Sequence, residues 1–460
     1  MTDPITQLNS LKRCTRCALP ETHESITFDA EGVCNVCQQV EFKQEQIDWQ
    51  ARGHELDTLI EEYRGKNDYD CIVPFSGGKD SAFTLWYLVR HKGLKPLVVS
   101  FDHGFYRPNH LENVEKTITK LGVDYMRFRP NWDVVRKLML EALERKGDFC
   151  WHCHTGIFSY PMQIAVKFKV PLLFWGEPSA EYTSYYSYDQ GIEEVDERRF
   201  NRFVNLGITA EDMEGMLDDS VTMRDLEPFA YPKMKDLRRV GVRSVCLGSF
   251  LPWDVREQVK LIKEELDWRE DVVEGVPPGY GYEKIECAMQ GVRDYIKFLK
   301  RGYGRTSHLA SIDIRNGRMD RQTAAEMIAA HDGRRPASLD VFLEYAGIDE
   351  ARFMEIVARH VVAPWAEPDL IQIQTAEELW DQQLWARRPC GSPGAPTSIP
   401  KPIGQIENAL PMAAEHGTFS QATAEALGAV PSPVGRANGS AETHVPSVAA
   451  PAPPADDDVS

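Results

Sequence analysis

The feature that most constrains the fold is the hexapeptide SGGKDS at residues 76–81. The hexapeptide follows a compact apolar segment (69–75) that has the length of a buried strand. A helical pattern (80–93) begins at the end of the hexapeptide and is closed by a glycine. A helix N-terminus presents free N–H groups and partial positive charge, and paired glycines let the backbone approach an anion closely. The alternative is an ordinary strand-to-helix turn, but the complete hexapeptide between a strand and a helix favours a phosphate-binding loop. Its spacing differs from the GxxxxGK[ST] loop of common NTPases. Its residues are Ser76, Gly77, Gly78, Lys79, Asp80 and Ser81.

Strand and helix patterns alternate after this loop, which predicts a parallel sheet with right-handed crossovers. Further strands are predicted at 94–102, 124–130 and 170–177, with helices at 110–122, 134–147 and 156–169. Ligands of such sheets bind at the carboxyl ends of the strands. Two of these strand ends are followed by candidates for nucleotide contact: Asp102, His103, Gly176 and Glu177. The two carboxylates could instead hold Mg²⁺. The alternative is that these residues only have a structural role at the strand ends. The predicted catalytic residues are Lys79, Asp80, Asp102 and Glu177.

The first 40 residues contain two CxxC pairs, Cys14/Cys17 and Cys34/Cys37. Four thiolates at this spacing predict a closed, tetrahedral zinc site. A lobe of this size has no core of its own, so we expect the metal to supply its folding energy.

A third CxxC pair, Cys150 and Cys153, cannot close a metal site alone, and Cys246 is the best candidate for a third ligand. Three interpretations stay open: a [4Fe-4S] cluster, which only the resemblance described below implies, a second zinc with His152 or His154 as the fourth ligand, or a redox dithiol without metal. Cys71 and Cys287 are expected to be core residues inside a strand and a helix, and Cys390 to be unliganded.

Composition limits the partners and the domain organisation. With 52 basic and 70 acidic residues the net charge is −18, which disfavours nucleic acid as a partner. Neither a signal sequence nor an apolar run of membrane length is evident, so a cytoplasmic protein is expected. The predicted domains are a zinc lobe (1–45), a linker helix (46–68), a nucleotide-binding domain (69–253), a helical region (254–365) and a tail (366–460) that is mostly disordered from residue 391.

The SGGKDS loop resembles the PP-loop of the adenine nucleotide α-hydrolase superfamily, and a CxxC pair with one distant cysteine is similar to the tRNA 2-thiolation enzymes of that superfamily. The combination is more specific, because several longer strings resemble the N-acetyl sugar amidotransferase family over about residues 11–365. These strings include CTRCALPETHESITFDAEGVCNVC, CIVPFSGGKDS, VVSFDHGF, FCWHCHTGIF, WGEPSAEY, CLGSFLPWD and RGYGRTSHLASIDIRNGRM.

The resemblance implies a five-stranded parallel sheet of HUP type and an enzyme of bacterial surface-polysaccharide or nonulosonic-acid biosynthesis. Such an enzyme uses ATP and ammonia to convert the acetamido group of a sugar or nucleotide-sugar into an acetamidino group. Ammonia is expected from a separate glutaminase, since Met1 is not followed by cysteine and no GxCxG motif is present. A PP-loop sulfur transferase is the alternative.

Two arginine-rich segments are candidates for substrate binding, although either could equally be a solvated helix face. The first carries Arg198, Arg199 and Arg202, which could hold a sugar diphosphate. The second carries Arg305, His308 and Arg315, which could reach the active site from the helical region.

Overall fold

A computed structural model describes residues 11–181 and 186–365. Its centre is a five-stranded, fully parallel sheet of order β3-β2-β1-β4-β5. The strands are β1 (Cys71–Pro74), β2 (Pro96–Phe101), β3 (Asp124–Phe128), β4 (Leu172–Trp175) and β5 (Arg243–Cys246). The predicted disordered tail and Cys390 lie outside the described residues.

Burial explains which segments form the centre of the sheet. Every residue of β1, β2 and β4 is buried, as expected of strands covered by helices on both faces, whereas the edge strand β3 is partly exposed. The register pairs Ile72 of β1 with Leu97 of β2 and with Leu173 of β4, so the apolar side chains stack in rows across the sheet.

Helices cover the sheet and form the C-terminal region. In chain order they are α1 (Asn35–Glu45), α2 (Trp49–Tyr63), α3 (Lys79–Trp86), α4 (Pro108–Leu121), α5 (Trp132–Lys146), α6 (Trp151–Phe168), α7 (Glu197–Arg199), α8 (Ala210–Met216), α9 (Met223–Leu226), α10 (Met234–Val240), α11 (Val255–Leu266), α12 (Gln290–Arg301), α13 (Arg305–Arg315), α14 (Arg321–His331), α15 (Ser338–Ala346) and α16 (Glu350–Ala358). Short 3-10 or π turns lie at Tyr87–His91, Ser179–Glu181, Tyr188–Gln190, Phe200–Val204, Glu227–Phe229 and Leu247–Ser249. Among the described residues, no helix is both long and apolar enough to cross a bilayer.

The N-terminal lobe packs on the far C-terminal helices. The guanidinium of Arg321 donates to the carbonyl oxygens of Cys14 and Cys17 at 2.6 and 2.5 Å, and Tyr303 Oη donates to Glu24 at 2.6 Å. These contacts fix the lobe against a part of the chain about 300 residues away in sequence.

The structure differs from the sequence pattern at three places. The linker helix predicted over 46–68 spans only Trp49–Tyr63, and a separate helix precedes it, because the chain turns at Gln46–Asp48 and Asp48 caps α2. Within the predicted helical region (254–365), helix α12 begins only at Gln290, and residues 282–289 form an irregular loop held by a β-bridge between Cys287 and Tyr106. Cys287 is therefore not inside a helix. The fifth strand, Arg243–Cys246, has no clear signal in the sequence pattern.

Candidate active site

A cavity of about 600 Å³ opens at the carboxyl edge of the sheet. The ends of β1, β2, β4 and β5 contribute to its wall, and the opposite side is formed by the loop 282–289 and the helix α12. The predicted phosphate loop lines it through Ser76, Gly78, Lys79, Asp80 and Ser81. This position is the expected ligand site of a parallel sheet.

The loop is held by its own serines. Ser81 Oγ accepts from the Gly77 N–H at 3.0 Å, and Ser76 Oγ accepts from the Gly78 N–H at 3.2 Å. Gly78 is the N-cap residue of α3, so free N–H groups of the helix start point toward this edge. Donors held at a helix N-terminus are suited to an anion such as phosphate.

Gly77 is required by both conformation and space. Its φ is +79°, and a Cβ at this position would lie 2.5 Å from both His110 and Val114. A side chain would therefore displace helix α4 or the loop. Trp268 also fixes the turn, because its Nε1 donates to the Gly77 carbonyl at 3.1 Å.

Lys79 is buried at 4% exposure and is held between two carboxylates, Asp80 at 2.8 Å and Glu283 at 3.1 Å. Burial alone would lower its pKa, but Asp80, Glu283 and Glu177 together hold the pKa of Lys79 well above the usual value. Burial likewise opposes the ionisation of Glu283, yet Lys79, Lys284 and Arg305 lower the pKa of Glu283 to about 2. Lys79 is thus a fixed positive charge in the wall of the cavity.

Asp80 and Glu177 form a pair of partly buried carboxyl groups beside this lysine. Burial, followed by the neighbouring Asp80 carboxylate, raises the pKa of Glu177 to about 8. Among the described residues, Asp80 Oδ1 and Glu177 Oε2 are buried without a hydrogen-bond partner. Gly176 packs closely on helix α3, since a Cβ there would lie 3.1 Å from Thr84 Oγ1. Orphaned carboxylate oxygens are suited to a hard cation.

Asp102 and His103 are placed differently from each other. His103 lines the cavity, its Nε2 has no partner among the described residues, and burial lowers its pKa. Asp102 is fully buried and does not line the cavity. Its carboxylate accepts from Arg129 at 2.7 Å and from the Gly104 N–H at 2.9 Å, so it shapes the turn after β2. The structure does not bring Asp102 to the loop as predicted.

The four N-terminal cysteines form a metal site. Their sulfur atoms all lie within 4.8 Å of one another, with Cys14–Cys37 at 3.8 Å and Cys17–Cys34 at 3.7 Å. A tetrahedron with metal–sulfur bonds of about 2.3 Å has sulfur–sulfur edges of about 3.8 Å. Backbone N–H groups of Cys17 and Cys34 donate to the Cys14 sulfur at 3.4 and 3.2 Å, which suits a thiolate.

The other predicted metal ligands do not form such a group. Cys150, Cys153 and Cys246 all line the cavity. Among residues 11–181 and 186–365, however, only the four N-terminal cysteines bring three or more ligand atoms within 4.8 Å. Of the three interpretations left open for Cys150, Cys153 and Cys246, a single second zinc is therefore not supported by this geometry, and Cys246 packs with Trp175 and Val195.

The arginine-rich segments reach the cavity only in part. Arg199, Arg305 and His308 line it, and Arg199 also pairs with Glu193. Arg198 is exposed, and Arg315 lies outside the cavity lining, near Cys17 of the N-terminal lobe. The side chain of Arg202 lies outside the described residues.

Sequence reasoning missed the second wall of the cavity. It includes Glu283, Glu286, Cys287, Arg293 and Lys297. The segment YEKIEC (282–287) gives no clear signal, because its apolar residues have helical spacing although it forms a loop of turns and bends. Periodicity could not identify it, since the loop is defined by contacts with residues far away in sequence.

Comparisons with known proteins found two similarities. Residues 279–380 match the family model "LPS biosynthesis protein WbpG-like, C-terminal domain". None of the curated proteins matches the chain. A solved structure of the U34-tRNA thiolase NcsA from Methanococcus maripaludis with its [4Fe-4S] cluster is 14% identical, covers 70% of this chain and 89% of that chain, and has a TM-score of 0.25.

The matched residues include the second wall of the cavity from Gly279 onward, whereas the SGGKDS loop and the parallel sheet form the first. These two walls come together in one enzyme-like site, with a phosphate loop on one side and the matched domain on the other. Residues 279–380 are thus similar to the C-terminal domain of WbpG-like LPS biosynthesis proteins, and part of this segment faces the SGGKDS loop across the cavity.

Proposed function

We propose that the protein is an ATP-dependent amidotransferase of bacterial surface-glycan biosynthesis, which converts the acetamido group of an N-acetylated sugar or nucleotide-sugar into an acetamidino group. The observation that carries the proposal is the group formed by Lys79 and the orphaned carboxylate oxygens of Asp80 and Glu177 beside a glycine loop. The match of residues 279–380 supports the surface-glycan role.

ATP would bind with its phosphates on the loop. The N–H groups of Gly77 and Gly78 and the hydroxyls of Ser76 and Ser81 exchange their mutual hydrogen bonds for phosphate oxygens. Asp80 and Glu177 would hold Mg²⁺, which supplies charge neutralisation on the phosphates. Lys79 adds a fixed positive charge where negative charge develops in the transition state.

The reaction needs activation because the oxygen of an amide is a poor leaving group. The acetamido oxygen attacks the α-phosphorus of ATP, pyrophosphate leaves, and an O-adenylated imidate forms. Ammonia then attacks the imidate carbon, the C–O bond breaks, AMP leaves with the oxygen, and one proton is lost from the attacking nitrogen. A second ammonia molecule or water takes up that proton, because Glu177 is assigned to Mg²⁺ in this proposal.

The helix α12 offers a basic wall for an acidic substrate. Arg293, Lys297, Lys300 and Arg301 all line the cavity from this one helix. Together with Arg199 they would bind a sugar carboxylate or a nucleotide diphosphate. Ammonia is proposed to come from a separate glutaminase.

We assign the N-terminal metal site to zinc with a structural role. Four thiolates close the coordination sphere, so the metal has no open position for chemistry. The hydrogen bonds from Arg321 to Cys14 and Cys17 suggest that the lobe supports the helical wall of the cavity.

A sulfur transferase is the second candidate, because Cys150 and Cys153 line the same cavity. The decisive measurement is the mass of the product after the full chain is incubated with ATP, ammonia and a mixture of N-acetylated nucleotide-sugars. Exchange of oxygen for NH lowers the mass, whereas exchange of oxygen for sulfur, tested with sulfide, raises it. ATP-dependent formation of the lighter product supports the amidotransferase, and formation of only the heavier product would overturn it.

A further inference from the structure

The N-terminal lobe contributes one carboxylate to the wall of the cavity. Glu24 lies between the two CxxC pairs and lines the cavity together with residues of α12. Its side chain keeps 32% exposure, whereas the neighbouring His23 is buried at 4%. The lobe therefore reaches the cavity itself and does not only pack behind its wall.

The segment that carries Glu24 is fixed to the end of α12. Thr22 Oγ1 donates to the Arg301 carbonyl, and the Arg301 guanidinium donates to the Thr22 carbonyl, both at 2.6 Å. Arg301 Nε lies 3.3 Å from Glu24 Oε1, and Tyr303 Oη donates to Glu24 Oε2 at 2.6 Å. Both oxygens of this carboxylate have partners in the C-terminal region, so its position is defined.

Tyr303 connects the carboxylate to a lysine of the cavity wall. The ammonium of Lys297, on α12, lies 4.4 Å from the centre of the Tyr303 ring, and His23 stacks on the same ring at 5.7 Å. A cation over an aromatic ring is attracted by its π electrons. Because Tyr303 is fully buried, it holds the carboxylate at its hydroxyl and the ammonium at its ring.

Glu24 and Lys297 keep each other charged. Burial lowers the pKa of Lys297, and Glu24 is the strongest of the neighbours that oppose this decrease. Burial likewise opposes the ionisation of Glu24, but Lys297 and further basic groups hold its pKa well below the usual range. The titratable and charged groups around Lys297 are Glu24 and His23 of the lobe, Arg293 and Asp294 of α12, and Arg305 and His308 of α13. Since Asp294 pairs with Arg305 at 3.2 Å, the lobe supplies the stronger counter-charge.

We propose that Glu24 is a positioning residue of the cavity, through which the N-terminal metal lobe holds Lys297 and Arg301 in place to bind an anionic group of the substrate. The nature of the substrate rests on the proposed function, whereas the contact of the lobe with α12 does not. Because segment 22–24 lies between the two CxxC pairs, a lobe that loses its metal would also withdraw this carboxylate from the cavity.

The experiment compares Glu24→Gln with its matched control Glu31→Gln, an exposed residue of the same lobe. The full chain and both variants are labelled with traces of acetic anhydride at several pH values, and mass spectrometry measures the labelling of Lys297. Only a neutral amine reacts, so the pH midpoint of labelling reports the charge of this lysine. In a further variant, Tyr303→Phe, the ring stays and only the hydroxyl that donates to Glu24 is lost.

We expect Glu24→Gln to lower the midpoint of Lys297 by about one pH unit, as is usual for the loss of a nearby opposite charge, and so to label it ~10-fold faster at neutral pH. Tyr303→Phe should shift the midpoint in the same direction by less. Glu31→Gln should match the full chain, and all variants should keep their metal content and circular dichroism. The proposal is overturned if Glu24→Gln and Glu31→Gln give the same midpoint, or if Lys297 stays unlabelled at every pH.

Turnover tests the substrate part of the proposal separately. Glu24→Gln should raise the KM of the nucleotide-sugar with little change in kcat or in the KM of ATP, because it weakens ground-state and transition-state binding alike. An unchanged KM of the nucleotide-sugar would overturn the positioning role. A full chain that makes no amidine would contradict the proposed function instead, and the midpoint of Lys297 would still decide whether the lobe sets the charge of this wall.

Discussion

The two cysteine-containing regions use the same CxxC spacing for different structures. In the N-terminal lobe both pairs lie close in sequence, and their four sulfurs meet within 4.8 Å. In the cavity the single pair Cys150/Cys153 has Cys287 on the same wall, from a loop far along the chain. The first region is closed and buried, whereas the second faces a space that can admit a substrate. Local spacing therefore defines a structural site but does not identify the partners of an open one.

The largest effect is expected when the closed site is broken. Cys14→Ser should remove the bound metal and lower the free energy of unfolding by about 4–5 kcal/mol or more, the range typical of losing a structural metal. Metal analysis and limited proteolysis of the full chain measure both effects. Thr15→Ser is the matched control, since it retains the hydroxyl that donates to Glu31. A Cys14→Ser chain that still holds its metal would show that the lobe is not a closed four-thiolate site.

The next effect concerns the open cavity. Lys79→Met should reduce ATP-dependent turnover by about 10²–10³-fold, the usual cost of removing one group that stabilises transition-state charge. It should leave the metal content of the lobe intact, because the two regions are separate. Since Lys79 is buried between Asp80 and Glu283, the double variant Lys79→Met/Glu283→Gln keeps the charges balanced and verifies the fold. The exposed Lys260→Met is the control, and near-normal turnover of Lys79→Met would contradict the assignment of the loop.

The raised pKa of Glu177 should make the free energy of unfolding depend on pH. Folding raises the pKa of Glu177 from 4.5 to about 8, so the folded protein binds more protons than the unfolded chain between these values. This contribution to stability is present below pH 4.5 and is lost as the pH rises to about 8 and above. Urea unfolding of the full chain at several pH values should show the decrease, and Glu177→Gln should reduce it relative to the exposed control Glu264→Gln. An identical pH dependence in both variants would refute the raised pKa.

The smallest effect is expected where the two regions are connected. Arg321→Gln removes the guanidinium that donates to Cys14 and Cys17, and hydrogen bonds from a charged group contribute about 1.5–3 kcal/mol. Proteolysis of the lobe should become faster while its metal content stays the same. Arg224→Gln, exposed on α9, is the control. Equal proteolysis rates would mean that the lobe is held by its apolar contacts alone.

The sequence predicted the fold best where the signal is local. Strands such as Cys71–Pro74 and Pro96–Phe101 were recognised because they are short apolar runs bounded by turn residues. The phosphate loop and the four-cysteine site were recognisable for the same reason, since each is defined by residues a few positions apart. The positions of Gly78, Lys79 and Asp80 at the cavity follow directly from that motif.

The prediction failed where distant contacts decide the conformation. Residues 282–289 have helical spacing, yet the bridge between Cys287 and Tyr106 holds them as a loop. Asp102 follows a strand end as predicted, but Arg129 and Gly104 occupy its carboxylate. No pattern along the chain contains these pairings, because the partners come from other elements.

The contacts between the N-terminal lobe and the C-terminal helices have a consequence for the time during which the chain is translated. The lobe leaves the ribosome about 300 residues before Arg301, Tyr303 and Arg321, to which it docks. At roughly 5–20 residues per second, this interval lasts roughly 15–60 s. During this time the four thiols have no docking surface to protect them, so metal capture must precede docking. A cell short of the metal would then accumulate nascent chains with oxidisable cysteines, and the lobe would become the step at which metal supply limits the yield of this enzyme.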